Sequence, residues 1–219
     1  MRDALRGLVL LLMCGLALQA HARTVQGDGL QKVEIAKEPQ RIVSLLPSLT
    51  ETVCALGACP RLVGLDRYSN WPESLQSLPR VGGGLDPNIE SIVALKPDLV
   101  LAAGSTRGVE RLEALGLKVL RLEPRTHADV QRVLRTVAVA LFVPEAESES
   151  VWRDMQAAVQ AAQQSLSQKA RSQKVYFEVS PSPHGASASS FIGETLSRMG
   201  VSNILPAALG PFPQINPEF

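Results

Sequence analysis

The sequence predicts an α/β fold on parallel strands, divided into two lobes by one long helix. Three observations carry this. Residues 41–57, RIVSLLPSLTETVCALG, read as strand, turn and helix. Residues 88–102, NIESIVALKPDLVLA, read as helix, turn and strand. Such alternation is the grammar of a parallel sheet. Residues 145–174 then contain neither Pro nor Gly and are rich in Ala, Gln, Glu and Ser.

The elements follow in order. Residues 23–40 are polar and read as an extended lead-in. Residues 41–45 form the first strand, and Ser48 or Thr50 caps a helix over 50–56 that Gly57 closes. A short strand covers 61–65. Residues 66–86 are loop, holding Tyr68, Trp71, Pro72, Pro79 and the run Gly82-Gly83-Gly84. A helix over 89–95 ends at Lys96-Pro97-Asp98, and 99–102 is the next strand. A helix over 109–115 stops at Gly116, 117–122 is a strand, and 128–141 is a helix.

Pro144 marks a boundary. Beyond it Val151, Met155, Ala158, Ala162, Leu166 and Ala170 recur at spacings of three and four, a narrow apolar stripe on one helix. A helix of about 26 residues would be ~39 Å long at ~1.5 Å per residue. An ordinary surface helix is the plain alternative to a connector. Residues 175–179 form a strand, 180–190 a loop rich in Ser, Pro and Gly, and 191–199 a helix stopped by Gly200. Asn216 and Pro217 resemble an N-cap and first helical position. A helix opening on the final residues suggests a second lobe that is cut short, with a naturally short variant as the alternative.

The N-terminus reads as an export signal over residues 1–22. Arg2 and Arg6 precede an apolar run over 7–18, and Ala20-His21-Ala22 is a small-x-small cleavage site. A membrane anchor would need ~20 apolar residues, and this run is shorter. Leu11-Leu12-Met13-Cys14 loosely resembles a lipobox, with Met13 where a small residue is usual. Export places the chain where disulfides are allowed. Cys54 and Cys59 either form a short bridge or stay as two small thiols; with only His127 and His184 beside them, a zinc site is not expected.

The charge balance is near neutral, with 22 basic and 21 acidic residues. Loss of residues 1–22 removes Arg2, Arg6 and Asp3 and leaves it neutral. This gives no support for nucleic-acid binding, which normally needs a basic face. No nucleophile elbow, phosphate loop or HExxH motif is present. Ser44, Ser48, His127 and Asp129 compose a triad only on paper, since triads are defined by geometry.

Binding has better candidates. Ligands of open α/β sheets sit at the carboxyl ends of the strands. The loops expected there contain Ser48, Tyr68, Trp71 and Arg107, with His184 in the second lobe. Aromatics make up only 4 % of the chain. A loop holding two of them suits stacking on a flat macrocycle, although Trp71 beside Pro72 also suits anchoring the loop. Arg107 suits an anionic ligand group. His184 suits cobalt or iron ligation, or a hydrogen bond to a propionate or amide; a solvated loop histidine is the alternative.

The two opening segments and the order of elements around them resemble the periplasmic substrate-binding proteins of ABC importers for cobalamin, haem and ferric siderophores. This is the helical-backbone metal-receptor group, and the chain is most like its cobalamin-binding members. The resemblance implies two Rossmann-like lobes over 41–143 and 174–219, the second incomplete, joined by the helix over 145–173. It implies no enzyme activity and no intrinsic cofactor. It implies a monomer in the periplasm that captures a metal chelate, a corrinoid first, between its lobes and delivers it to an ABC permease at the inner membrane. Glu90 and Glu218 match the two carboxylates that dock onto the permease. Cobalamin-binding members often carry Trp in the loop before the Glu90 helix; here that loop is Val81-Gly82-Gly83-Gly84-Leu85-Asp86, which keeps haem and ferric siderophores open. An exported hydrolase on a similar scaffold and a non-functional remnant are the competing readings.

Overall fold

The computed structural model describes residues 22–180 and 182–216. The export-signal and lipobox expectations over 1–21, and Glu218, lie outside the described residues.

The centre of the first lobe is a four-stranded parallel sheet in the order β4-β3-β5-β6. The strands are β3 (Ile42–Ser44), β4 (Leu62–Leu65), β5 (Leu99–Ala102) and β6 (Val119–Arg121). Their sequences are almost wholly apolar because both faces are covered, as parallel sheets require. The two-residue period sorts the side chains. Ile42, Leu99, Leu101 and Leu120 join one core cluster, which also contains Leu49, Val53, Val133 and Val137. Those residues come from helices α1 (Pro47–Ala55) and α4 (His127–Ala140). Val43, Val100, Ala102 and Val119 join the other, with Ile89, Ile92, Val109 and Leu112. These come from α2 (Ile89–Ala94) and α3 (Val109–Ala114).

Two local expectations change. Residues 23–40 are not a featureless lead-in but an antiparallel hairpin of β1 (Arg23–Gln26) and β2 (Lys32–Ile35). Val25, Val33 and Ile35 alternate with polar residues and reach the core. Helix α1 begins earlier than expected. Pro47 occupies its first turn and Leu46 is the N-cap, so Ser48 and Thr50 lie inside the helix. Proline's fixed φ is ready-made for that position, and it overrides the capping preference of Ser and Thr. Asn88 caps α2 by accepting the Ser91 N–H at 2.8 Å. Cys54 and Cys59 form a disulfide at the end of α1.

Helix α5 (Glu145–Ser165) follows. It has 21 residues, so it is ~32 Å long. The expected continuous helix over 145–173 is interrupted. Leu166 adopts an extended backbone (ψ 126°), and the Ser167 side chain accepts the Ala170 N–H to cap a separate turn, α6 (Gln168–Arg171). The second lobe holds a parallel pair, β7 (Lys174–Val175) with β10 (Ser202–Asn203), and an antiparallel pair, β8 (Glu178–Ser180) with β9 (His184–Gly185). The single strand expected over 175–179 is therefore split, because its two halves pair with different partners. Helix α7 (Phe191–Arg198) is capped by Ser190. It lies so close to the preceding loop that a Cβ on Gly193 would stand 2.0 Å from the Ser187 carbonyl oxygen.

The two lobes meet where α7 packs on the start of α4. His127 is buried, and its backbone N–H donates to Glu194 Oε2 at 2.9 Å. Its ring stacks on Phe191 with centroids 4.7 Å apart. The Thr195 hydroxyl already donates to the Phe191 carbonyl at 2.8 Å. It therefore accepts from His127 Nε2–H, 2.9 Å away. Burial first, then the Arg198 charge, holds the imidazole below its usual pKa, against the opposing pull of Glu194.

Candidate functional site

The chain runs from β3 out to β4 on one side, then returns to β5 on the other. That reversal opens a crevice at the carboxyl ends of the strands, the place where open α/β sheets hold ligands. A cleft of about 480 Å³ lies there. Leu45, Leu46 and Pro47 follow β3, Asp66 and Tyr68 follow β4, and Ala103, Ser105 and Thr106 follow β5. The glycine loop completes it with Gly83, Gly84, Leu85 and Asp86.

Local sequence explains each wall. The glycine loop is strapped by backbone bonds at both ends: Arg67 N–H donates to Gly82 O at 2.7 Å and Arg107 N–H to Gly84 O at 2.8 Å. Gly82 has φ +96°, and a Cβ there would stand 2.4 Å from the Asp86 carbonyl oxygen. Only glycine fits. A Cβ on Gly83 would stand 3.4 Å from the Tyr68 ring, so the loop and the aromatic lie against each other. Thr106 is buried, and its Oγ1 accepts the Ala103 N–H at 3.1 Å, which closes the turn after β5.

Tyr68 is 64 % exposed at the cleft. The Arg67 guanidinium stands 6.0 Å from the centre of its ring and pairs with Asp86 of the glycine loop. The cleft thus has an apolar floor, one aromatic face and a charged edge. Such a surface can hold a flat, largely apolar ligand with polar substituents at its margin.

The expected site residues divide. Tyr68 lines the cleft; Arg107 is exposed directly after the lining residue Thr106 but does not itself line it. Trp71 is exposed in the same loop but is not part of the cleft lining. Ser48 is not either. As the second residue of α1 it faces a separate apolar groove of about 430 Å³ with Ala55, Val133, Met155 and Phe191. His184 does not reach the cleft. It belongs to β9, and its Nδ1 is bonded to the Ser182 carbonyl within the hairpin. Among the described residues, no group of three or more His, Cys, Asp or Glu side chains could hold a metal ion.

Glu90 lies exposed in the first turn of α2, 3.4 Å from Arg111. The paper triad dissolves. Ser44 Oγ is buried against Thr50, His127 is bonded to Thr195, and Asp129 closes the capping box with Thr126.

The sequence reading missed a buried polar group beneath the cleft. Ser44, Thr50, Asp66 and Ser69 are all buried. The signal was present as isolated polar residues closing the apolar runs IVS and VGLD.

Residues 42–219 match the family described as periplasmic binding protein. A vitamin B12-binding protein of Yersinia pestis is 33 % identical over 192 residues, covering 84 % of this chain and 66 % of that protein. An uncharacterised ABC transporter substrate-binding lipoprotein of Bacillus subtilis is 28 % identical over 190 residues, covering 82 % and 60 %. The crystal structure of a periplasmic haem-binding protein from Pseudomonas aeruginosa superposes with a TM-score of 0.69 at 28 % identity, covering 82 % of this chain and 67 % of that one. The chain thus spans 60–67 % of the length of these relatives. With a parallel sheet, a cleft at its switch point and this match over most of its length, the chain belongs to the periplasmic binding protein family.

Proposed function

We propose that this protein captures a metal chelate, a corrinoid first, in the cleft at the carboxyl edge of its parallel sheet, and delivers it to an ABC permease from the periplasm. The observation that carries the reading is Tyr68, a large aromatic exposed on an apolar cleft at the topological switch point. Stacking on a macrocycle suits its flat face, and Arg107 suits a carboxylate or amide at the macrocycle's edge. Relatives named for vitamin B12 and for haem support this class of cargo. Relatives named as binding proteins, not as enzymes, support binding over catalysis. The disulfide supports export.

Haem is the second reading, favoured by one observation. The loop before α2 presents Gly83 and Gly84 to the cleft, in the loop where cobalamin-binding members often carry Trp.

Titration of the folded exported protein with cyanocobalamin, haemin and a ferric siderophore tests the class, following Trp fluorescence and co-eluting absorbance. Saturable binding of one of them is expected; binding of none overturns the reading. For the permease, Glu90→Lys should leave chelate affinity intact and reduce uptake, because exposed charges steer docking. Undiminished uptake would remove Glu90 from the docking surface. Glu218 is proposed as its second-lobe counterpart.

A further inference from the structure

The aromatic face of the cleft rests on a chain of buried polar groups that spans three elements. Ser44 and Thr50 are fully buried, and Asp66 and Ser69 are 1 % and 2 % exposed. Polar groups in such surroundings are costly unless paired, and here each is paired to the next. Thr50 Oγ1, from α1, lies 2.8 Å from Ser44 Oγ at the end of β3 and 2.8 Å from Ser69 Oγ in the loop after β4. The Ser69 hydroxyl donates to one oxygen of the Asp66 carboxylate. The other oxygen accepts the backbone N–H of Tyr68 at 2.7 Å, an Asx-type turn. From the opposite side Arg80 Nη1 donates to the Ser69 carbonyl at 2.6 Å.

The chain therefore ends on the backbone of the residue whose ring faces the ligand. Tyr68 is 64 % exposed, so the glycine loop against its ring holds it only in part. Its backbone is held as well, through Asp66 and the Arg67–Gly82 bond. Asp66 itself is among the residues that line the cleft. Its two carboxylate oxygens make it the one group in the chain that links the buried hydroxyls to the Tyr68 amide.

We propose that Asp66 is the positioning residue of the cleft: with one oxygen on the Ser69 hydroxyl and the other on the Tyr68 amide, it sets the Tyr68 ring for stacking before a chelate arrives. This rests on the chelate-binding reading above. A ring held in its bound position loses less freedom on binding, and preorganisation of one side chain changes affinity by about fivefold.

The test uses Asp66→Ala and Asp66→Asn, each with and without Tyr68→Ala. Affinity is measured for cyanocobalamin or haemin, whichever the unmodified protein binds. Asp66→Ala should weaken binding about fivefold. Asp66→Asn, which keeps a carbonyl for the amide, should restore most of it. In the Tyr68→Ala background Asp66→Ala should cost nothing further. Equal losses in both backgrounds would mean that Asp66 only stabilises the fold, and would overturn the proposal. Amide hydrogen exchange gives a readout without ligand. The Tyr68 N–H should exchange slowly in the unmodified protein and in Asp66→Asn, and at least about tenfold faster in Asp66→Ala as its opening becomes easier. Unchanged exchange overturns the proposal whether or not a chelate binds; absence of any chelate binding overturns the functional reading alone. If Asp66→Ala does not fold, Ser69→Ala frees one carboxylate oxygen while leaving the other on the Tyr68 amide. It should give the same non-additivity with Tyr68→Ala and a smaller but detectable rise in exchange at that amide; absence of either overturns the proposal.

Discussion

The first lobe and the segment beyond α5 use the same alternation of strand and helix to different effect. In the first, two core clusters cover both faces of a four-stranded sheet. Leu99, Leu101 and Leu120 are wholly buried. In the second, the strands are two or three residues long. Tyr176, Phe177, Val179, Ile204 and Phe212 are 37–52 % exposed. Burial is the dominant favourable contribution to folding, so the packing that stabilises the fold is concentrated in the first lobe. The cleft lies at the edge of that well-packed sheet, and its lining residues all come from the first lobe.

Core truncation should separate the lobes most sharply. Leu101→Ala, at a fully buried position, should cost about 3 kcal/mol by the range seen for buried leucines. Phe177→Ala, at a 44 % exposed position, should cost under about 1 kcal/mol, since part of its surface is already in water. Urea unfolding measures both, and similar losses would contradict the comparison.

Opening the disulfide comes next. Cys54 and Cys59 are five residues apart and belong to the first lobe. Loop-closure entropy for so short a ring is worth about 2 kcal/mol. Cys54→Ser with Cys59→Ser should lower first-lobe stability by about that amount in thermal unfolding. No change would mean that α1 is fixed entirely by its packing.

The smallest effect concerns the contact between the lobes. The folded state disfavours the proton on His127, so the unfolded chain takes it up more readily as pH falls through the usual histidine pKa of about 6.5. Stability from this group is complete above that pH and declines below it. Glu194 titrates lower. Burial raises its pKa, but the His127 amide and the Arg198 guanidinium outweigh that and lower it overall. Its contribution is lost only under more acid conditions. Melting temperature should therefore fall between pH 7.5 and 5.5, and His127→Gln should flatten the slope. An equal slope in the variant would place the titration elsewhere.

Much of the first lobe was legible because fully buried parallel strands read as unbroken apolar runs, as in Leu99–Ala102. The hairpin before it was not. Lys32 and Glu34 alternate with Val33 and Ile35, and a half-polar strand of four residues resembles loop. The break at Leu166 was invisible to periodicity, because the three-four spacing continues to Ala170 across it; the Ser167 cap was the local signal. Tyr68 was singled out from composition, since aromatics are scarce, and it stands on the cleft lining. His184 was misplaced, because residues that look like a loop rich in Pro and Ser fold back into a hairpin. Ser48 was misplaced by one helical face, because Pro47 starts α1 earlier. Asp66 was missed because a lone carboxylate after a strand has no pattern until its partners are in view.

In the proposed function the cleft of the first lobe holds the chelate against Tyr68. Calorimetric titration of Tyr68→Ala with the chelate that the unmodified protein binds most tightly tests it directly. Loss of one stacking face should weaken binding about tenfold, the scale of a single aromatic contact, with an unchanged melting temperature. Affinity equal to that of the unmodified protein would move the site away from this cleft.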